Sequence, residues 1–378
     1  MRPTQVYSST CNVVQAARER VGFIFDHFED IKVSISGGKD STVMAHLMLT
    51  EAKLRNRKVG LLFLDEEVVY QSTIDQVTYL MEDLAPDNVV PLWLQIEFDL
   101  TNSTSFEENH LVAWEAGKHD LWMRPKKSYA IKFAPWDREK QIIHDKNIGL
   151  NYYAVIDNFE HCYQGAAFAV GLRGVEHPNR WRAVSKNPVP IDGSRVYWAT
   201  PRGEDNVSVY PIYDWNTHDI WKYIYENKLR YSKIYDFQWK KGVPVQEMRT
   251  SSLIHEKSFK SICELPEFEP KTYNKLVKRI KGIQFAQETG KANKMFKARQ
   301  LPKNFKSWRK YRDFLIETYP DPANKHVFVD RFARHLDNEW VARQQCRQLV
   351  LNDIGNFVPV ENKPDPREEL IAYYRSVL

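Results

Sequence analysis

Residues 34–41 read Ser-Ile-Ser-Gly-Gly-Lys-Asp-Ser, and this stretch decides how the chain is expected to fold. It overlaps an apolar run at residues 31–35 and precedes residues 42–49, whose apolar positions have helical spacing. A strand, a glycine turn and a helix start in this order expose unpaired backbone N–H groups and the positive end of a helix dipole. The stretch therefore predicts a phosphate-binding turn in an α/β fold, with an ordinary strand-to-helix turn as the alternative.

The side chains of this turn suit a nucleotide phosphate. Glycines permit positive φ and a close approach of the backbone to an anion, hydroxyl groups donate hydrogen bonds, and a lysine supplies a cation. The spacing differs from that of the Walker-type loop. The predicted nucleotide-binding residues of the turn are Ser36, Gly37, Gly38, Lys39, Asp40 and Ser41.

Residues 36–41 match the signature of the PP-loop ATP pyrophosphatase superfamily, and the chain resembles its members. The resemblance implies an adenine nucleotide alpha hydrolase-like fold that cleaves ATP between its α and β phosphates. It also implies that the loop holds the pyrophosphate end of ATP while Mg²⁺ balances the charge. ATP and Mg²⁺ are therefore the expected ligands, with Lys39 and Asp40 as catalytic residues and Asp40 as the metal contact.

A second match narrows the resemblance. Residues 210–224 and 229–236 resemble a Pro-x-x-Asp-Trp block of the phosphoadenosine phosphosulfate (PAPS) reductase and sulfate adenylyltransferase branch. Residues 214–217 can cap a helix whose apolar positions recur at helical spacing. We interpret this block as structural and assign it no catalysis.

A third match covers residues 171–182, after a run of small residues at 165–170 that reads as a helix. It resembles a segment of the same branch whose arginines face the nucleotide phosphates or the substrate's anionic group, a task suited to the planar guanidinium. His177 stands where the family usually has serine, which leaves the substrate group open. The resemblance predicts nucleotide contacts at Gly171 and Arg173, a catalytic role for Arg173, and substrate contacts at Glu176, Arg180 and Arg182. For Arg180 and Arg182, a solvated basic loop is the alternative.

The apolar strand predicted at residues 59–64 ends in three acidic residues, Asp65, Glu66 and Glu67. Ligands gather at the carboxyl ends of parallel strands, so Asp65 is expected at the same edge as the glycine turn. The family usually has an Asp-Thr-Gly segment here that contacts the adenosine, and this chain keeps the Asp. Glu66 and Glu67 are read either as metal ligands or, preferably, as a solvated strand end.

The cysteines argue against reductase chemistry. Cys11, Cys162, Cys263 and Cys346 are scattered and form no Cys-x-x-Cys pair, so neither zinc nor an iron–sulfur cluster is expected. A sulfonucleotide reductase of this branch carries its nucleophilic cysteine in a short Glu-Cys-Gly tail, which residues 368–378 lack. The only reductase mechanism that we consider as an alternative is sulfonucleotide reduction that uses Cys263.

The composition suits an intracellular enzyme. A chain of 378 residues with 43% hydrophobic content can bury a large core and suggests two domains. Neither a signal peptide nor an apolar run long enough to span a membrane is seen, so a cytoplasmic location is expected. The predicted domains are an ATP-binding domain at 1–236, containing a leading helix and an insert at 101–151, and a helical, basic region at 237–378. The first should be a doubly wound, mainly parallel sheet with strands at 31–35, 59–64, 90–96, 152–156 and 207–212.

The insert, residues 101–151, is read as a lid or substrate wall, or as an extra helical layer. Residues 271–312 contain 14 Lys or Arg residues and a single acid, Glu288. Interleaved aromatic residues in this stretch suit nucleic acid, although an acidic partner protein or a solvated helical face would fit equally well.

The chain combines an intact glycine turn, the loss of redox cysteines and an extended C-terminal region. In this combination it looks most like the immunoglobulin-binding regulator A group of PAPS reductase-like proteins of enterobacteria and phages. The resemblance covers residues 20–236 and implies a ParB-like protein partner; homo-oligomerisation is left open. The leading hypothesis is an enzyme that cleaves ATP between the α and β phosphates and adenylylates an acceptor, without reductase activity. The alternatives are a nucleotide-sensing, nucleic-acid-binding module and a PAPS reductase.

Overall fold

The computed structural model describes residues 11–104, 108, 110–136, 150–184, 188–203, 205–255, 259–283, 301–356 and 359–363. The strands are β1 (Ile31–Ser34), β2 (Val59–Leu64), β3 (Val89–Leu94), β4 (Phe98–Thr101), β5 (His110–Ala113), β6 (Ala167–Val170), β7 (Val189–Ile191), β8 (Ser194–Val196), β9 (Ala199–Arg202) and β10 (Asn206–Val209). The α-helices are α1 (Val13–His27), α2 (Lys39–Leu54), α3 (Gln71–Thr78), α4 (Tyr152–Glu160), α5 (Pro178–Val184), α6 (Thr217–Glu226), α7 (Ile234–Lys240), α8 (Phe259–Phe268), α9 (Pro270–Arg279), α10 (Trp308–Glu317), α11 (Pro322–Phe332) and α12 (Glu339–Val350). Within these ranges, none of the helices has the length and hydropathy needed to cross a lipid bilayer.

The central sheet has six strands in the order β3-β2-β1-β6-β10-β9. β1 runs parallel to both β2 and β6, β3 and β10 continue the parallel arrangement, and β9 is an antiparallel edge strand. The strand order reverses direction between β1 and β6, which makes this the topological switch point where open α/β sheets bind their ligands. The doubly wound, mainly parallel sheet predicted from the sequence is confirmed.

Two hydrophobic cores cover the two faces of the sheet. One contains α1 and α2, with Ile24 and Met44 packed against Val33 of β1. The other contains α4, with Phe159 packed against Phe168 of β6. Both faces of β6 are therefore buried, which is why this strand, Ala-Phe-Ala-Val, is a continuous apolar run rather than an alternating one.

Two elements differ from the sequence-based prediction. Residues 152–156, predicted as a strand, form the start of α4: Asn151 caps the helix by accepting hydrogen bonds from the second and third backbone N–H groups, and Val155 and Phe159 share its buried face. Residues 165–170, read as a helix, instead contain strand β6. A short apolar run has no periodicity that separates a buried central strand from a buried helix, and this ambiguity produced both errors.

The helix predicted after residues 214–217 is confirmed as α6. Asn216 accepts hydrogen bonds from the N–H groups of His218 and Asp219, and the Asp219 side chain accepts one from the Asn216 N–H, which completes a capping box. Asp214 instead pairs with Arg20 of α1, with Nη2 2.6 Å from Oδ2. The block that resembles the PAPS reductase branch therefore has a structural role: it caps α6 and pairs with α1.

The predicted insert is only partly a separate layer. Its described part forms a β4–β5 hairpin followed by a short 3₁₀ segment, Ala116–Leu121, and residues 137–149 lie outside the described ranges. The hairpin packs into the same core as α4. The described part therefore adds a hairpin to the α/β domain, and both readings of the insert, a lid or substrate wall and an extra helical layer, stay predictions.

The hydrophobic core on the α4 side continues past residue 236, where the domain boundary was predicted. Met248, Leu253, Ile262 and Leu276 pack with Leu62 of β2. A smaller core around Phe328 and Val341 joins α11 and α12. We therefore propose that the ATP-binding domain extends to residue 283 and that the helical region follows it.

Candidate functional site

The glycine turn, residues 36–41, lies between β1 and α2 at the switch point of the sheet, and we call it the PP-loop. Gly37 has φ +68°, and a Cβ atom there would lie 2.9 Å from the Thr73 carbonyl oxygen. Gly38 precedes α2, and a Cβ at this position would lie 3.1 Å from Oγ1 of Thr250. The turn is therefore a glycine cradle whose neighbours leave no room for side chains.

Hydroxyl groups surround this cradle. The Ser41 hydroxyl donates to the Gly38 carbonyl oxygen at 3.0 Å and accepts from the Ser36 N–H at 3.1 Å. Thr73, which lies against Gly37, has a buried hydroxyl with no hydrogen-bond partner among the residues described. A glycine cradle beside a hydroxyl that lacks a partner fits the oxygen-rich phosphates of ATP.

Asp40 lies at the centre of the site between two cations. Its Oδ2 is 2.9 Å from Nζ of Lys39, and its Oδ1 is 2.5 Å from Nε of Arg173. Burial alone would raise the pKa of Asp40, but Lys39 and Arg173 outweigh burial and hold that pKa below its ordinary value. Asp40 is therefore an anion that fixes the position of both cations.

Arg173 reaches the loop from β6, on the other side of the switch point. Its side chain is 2% exposed and also contacts Glu176, with Nη2 2.7 Å from Oε1. Burial would lower the pKa of Arg173, whereas Asp40 and Glu176 raise it, so the guanidinium stays charged. Thr217, the first residue of α6, accepts a further hydrogen bond at 3.2 Å. Three contacts, one to each of these side chains, hold the guanidinium in one place.

The structure brings together most of the predicted site residues but not all of them. Glu176 also pairs with Arg180, so the predicted substrate residues form a charged chain leading away from Asp40. Arg182 points elsewhere and contacts Glu361 of the C-terminal region at 2.9 Å. We therefore find no geometric support for a substrate contact at Arg182.

Gly171 lets β6 approach the PP-loop closely. A Cβ atom at this position would lie 3.1 Å from both the carbonyl carbon and the carbonyl oxygen of Asp40. Contacts this short with backbone atoms are relieved only when the segment after β6 moves away from the start of α2. The predicted role of Gly171 at the nucleotide thus has a structural basis in the packing of β6 on the loop.

Gly171→Ala is expected to displace the loop by a few tenths of an ångström and to lower turnover of the nucleotide on the order of tenfold. Gly117→Ala is the matched control, because a Cβ atom at Gly117 meets nothing within 4 Å. Steady-state kinetics of both variants would check this expectation. Equal rates for Gly171→Ala and the wild type would show that the close approach has no functional consequence.

Asp65 follows β2 and is fully buried. Its Oδ2 accepts hydrogen bonds from the Trp93 indole at 2.8 Å and the Gln95 amide at 2.9 Å, and its Oδ1 pairs with Arg124. In this arrangement Asp65 holds the insert against the sheet. A contact with adenosine would require Asp65 to release one of these donors, so that role stays a prediction.

The structure contradicts the expectation that Glu67 is a solvated residue at the end of a strand. The side chain is fully buried and forms an ion pair with Arg279 of α9, with Nε 2.7 Å from Oε1 and Nη2 3.1 Å from Oε2. The backbone N–H groups of Trp114 and Met123 also donate to it. With both oxygens used in this way, Glu67 is not placed to bind a metal.

Glu66 precedes Glu67 in the chain, and the pKa of its carboxyl group is higher than usual. Burial raises its pKa to about 7; a hydrogen bond from Ser252 opposes this rise, and the negative charge of Asp65 adds to it. A carboxyl whose pKa is higher in the folded than in the unfolded state destabilises the fold once it ionises. The contribution of Glu66 to stability therefore falls as the pH rises from about 4.5 to about 7.

We expect Glu66→Gln to remove this pH dependence. Between about pH 5 and about pH 8, the wild type should lose about 1–3 kcal/mol more folding free energy than the variant. Urea denaturation at both pH values measures the difference. Parallel pH curves for the two proteins would contradict the raised pKa.

Sequence reasoning missed two residues at the PP-loop. The hydroxyl of Tyr235, on α7, accepts a hydrogen bond from the Lys39 N–H at 3.0 Å, and Thr250 lies against Gly38. Burial raises the pKa of Tyr235, and Asp40 raises it further, so this phenol stays protonated. Tyr235 belongs to a block that we read as structural, and the sequence around Thr250 has no motif that could have identified it.

The residues present fit Mg²⁺ less directly than they fit ATP. The part of the chain that the structure describes contains no group of three or more His, Cys, Asp or Glu side chains arranged to hold a metal. Both oxygens of Asp40, the predicted metal contact, already face cations. Asp40 would have to release one of them to bind a metal, so this role too stays a prediction.

Comparison with known proteins agrees with this geometry. The model of the phosphoadenosine phosphosulfate reductase domain matches residues 30–266. The chain belongs to this family. Residues 242–348 also match a domain of unknown function, DUF3440. The PAPS reductase-like, PP-loop assignment made from the sequence is therefore confirmed.

Similar proteins include YbdN of Escherichia coli K12, described as uncharacterized, which is 25% identical over 353 residues, or 91% of this chain and 84% of YbdN. Similar solved structures include the PAPS reductase of Candida auris as a phosphate complex, with 13% identity and a TM-score of 0.33, covering 62% of this chain and 94% of that one. FMN adenylyltransferase of Candida glabrata, with FAD and inorganic pyrophosphate, has 12% identity and a TM-score of 0.31, covering 61% and 63%. Membership of the PAPS reductase family rests on the domain match, which spans more than half of the chain.

The structure changes the reading of the basic stretch at 271–312. Arg279 is buried in its pair with Glu67, and Lys275 donates to the Met123 carbonyl oxygen at 2.8 Å. Further along, Arg312 pairs with Asp337 at 2.8 Å. Residues 284–300 lie outside the described ranges. These three basic side chains are therefore engaged within the protein, and a nucleic-acid surface at 271–312 stays a prediction.

Proposed function

We propose that this PAPS reductase-family protein binds ATP on the PP-loop, cleaves it between the α and β phosphates and transfers the adenylyl group to an acceptor. The observation that supports this most directly is the Asp40 cluster. It places two cations, Lys39 and Arg173, beside a glycine cradle at the start of α2, where backbone N–H groups and the helix dipole already favour an anion.

The reaction needs positioning and charge neutralisation more than covalent help from the protein. A lone pair of the acceptor forms a bond to the α-phosphorus, and the bond from that phosphorus to the oxygen bridging to the β-phosphorus breaks. Pyrophosphate leaves with the electron pair of that bond. Lys39 and Arg173 stabilise the negative charge that develops on it, because they are held in place before the reaction begins. A bound Mg²⁺ would further neutralise the phosphates, with Asp40 as the predicted protein contact.

The products of ATP turnover test this proposal. With Mg²⁺ and candidate acceptors present, the purified protein is expected to release pyrophosphate, detected by an assay specific for that ion. Formation of ADP and phosphate, or no turnover with any acceptor despite ATP binding, would count against the proposal.

No structural observation favours the rival functions. PAPS reduction would need Cys263, a lone cysteine on α8, and this proposal holds that Cys263→Ser leaves pyrophosphate release unchanged. Thiol-dependent sulfite release that disappears in Cys263→Ser would support the rival. Nucleic-acid binding, a ParB-like partner, a homo-oligomer and a cytoplasmic location remain predictions from the sequence.

A further inference from the structure

A cavity of about 270 Å³ opens at the carboxyl edge of the sheet, beyond the end of β2. Its wall is built by Glu66 after β2, by β4, by the first turn of α4, and by the segment that follows α12. The polar residues that line it and matter for its chemistry are Glu66, Asp99, Thr101, Ser252, His255 and Asp353. Its volume is at the lower limit of small-molecule sites, which are roughly 300–1,000 Å³, so a compact ligand fits and a folded macromolecule does not.

The cavity adjoins the PP-loop through one short segment of chain. Thr250 lies against Gly38 of the loop, and two residues later Ser252 lines the cavity. The Leu253 N–H donates to the Val68 carbonyl oxygen at 2.8 Å, which anchors this segment to the loop that follows β2. Two residues of chain span at most about 7 Å, so a ligand in the cavity would lie next to a nucleotide on the loop.

The ionisable side chains on the wall of the cavity are mostly acidic, and they lie among apolar residues such as Leu100, Ile254 and Leu351. Glu66, Asp99 and Asp353 supply carboxyl groups from three different parts of the chain, and among the residues that the structure describes the lining contains His255 but neither Lys nor Arg. The first N–H groups of α4, which could attract an anion, are already bonded to the Asn151 side chain. Thr101 adds a buried hydroxyl that has no partner in the described part of the protein. Such a lining repels sulfate and suits a ligand with N–H donors.

We propose that this cavity binds the acceptor substrate and that the acceptor is a compact nitrogen-rich molecule, cationic or neutral with several N–H donors, and not an oxyanion such as sulfate. This inference rests on the proposed function, because it assigns the second substrate of that reaction: an uncharged nitrogen of the acceptor bonds to the α-phosphorus as pyrophosphate leaves, and the proton of that nitrogen passes to solvent. Glu66 supports it: with a pKa of about 7, its carboxyl group can both accept and donate a hydrogen bond near neutral pH.

Binding, measured apart from turnover, tests the assignment. Agmatine serves as the nitrogen-rich probe, with sulfate and succinate as anionic probes, in calorimetric titrations of the full chain with and without α,β-methylene ATP. Agmatine is expected to bind, and the isosteric variants Glu66→Gln and Asp99→Asn should each weaken it about tenfold. Asp87→Asn is the matched control, since Asp87 is an exposed acid between α3 and β3 that does not line the cavity. α,β-Methylene ATP should bind equally well to all four proteins.

Three results would overturn the assignment. Agmatine failing to bind is one, and sulfate competing with it is another. The third is weaker binding of the ATP analogue in Glu66→Gln and Asp99→Asn, because the cavity would then belong to the nucleotide itself. Since none of these titrations requires turnover, a protein that binds agmatine as expected but releases no pyrophosphate would contradict the proposed reaction and leave the ligand class of the cavity standing.

Discussion

Asp40→Ala is expected to lower pyrophosphate release from ATP by about 100- to 1,000-fold. The carboxylate holds Nζ of Lys39 at 2.9 Å and Nε of Arg173 at 2.5 Å, so its loss frees both cations from the positions in which they would meet the departing pyrophosphate. Asp40→Asn keeps the shape of the side chain but removes its charge, and should lose nearly as much activity. Initial rates of pyrophosphate release at saturating ATP measure both effects.

Controls for this experiment must separate catalysis from folding, because removing Asp40 leaves two largely buried cations without their shared partner. Thermal unfolding of each variant shows whether the fold survives. Lys39→Ala removes one of those cations and should also lose most activity. Asp83→Ala, at an exposed acid five residues after the end of α3, should retain full activity. A folded Asp40→Ala protein with wild-type rates would refute the proposed role of the cluster.

Breaking the buried ion pair between Glu67 and Arg279 is expected to have the largest effect on stability. Arg279→Met leaves a fully buried carboxylate with only backbone donors, and Glu67→Gln leaves a buried guanidinium without its counterion. Either change should cost about 3–5 kcal/mol of the free energy of unfolding. Urea denaturation monitored by tryptophan fluorescence measures this loss.

The double variant Glu67→Gln/Arg279→Met is expected to be more stable than the sum of the two single effects predicts, because it leaves neither charge unpaired. Lys278→Ala provides the control on the same helix, since Lys278 is exposed and its loss should change stability by no more than about 0.5 kcal/mol. Additive single and double effects would show that the two residues do not stabilise each other.

Local sequence was sufficient for the centre of the fold. Residues 34–41 predicted the strand, turn and helix that the structure contains as β1, the PP-loop and α2, because the glycines and the helix start are encoded within a few residues. Sequence was insufficient for α4 and β6, where short apolar runs are compatible with either type of element. Whether each of these segments forms a helix or a strand depends on the strands beside it in the fold, and no local sequence pattern specifies those neighbours.

The residues of the candidate site also fall into two groups, those that a local motif predicts and those that it does not. The loop and Arg173 were predicted because they belong to contiguous motifs, whereas Tyr235 and Thr250 reach the loop from about 200 residues further along the chain. The acidic residues after β2 illustrate the physical reason most clearly. From sequence, Glu67 looks like a solvated strand end, since the arginine that neutralises it lies 212 residues away in a stretch that itself reads as a basic surface.

The ion pair between Glu67 and Arg279 also has a consequence for how this protein can be divided and inherited. Glu67 lies within the PAPS reductase match, whereas Arg279 lies beyond its end at residue 266 and inside the match to DUF3440. A fragment trimmed to the first match would keep the acid and discard its counterion. Truncation at residue 266 should therefore lower the stability of the fragment, and the two matched regions, which overlap at residues 242–266, are expected to be inherited together.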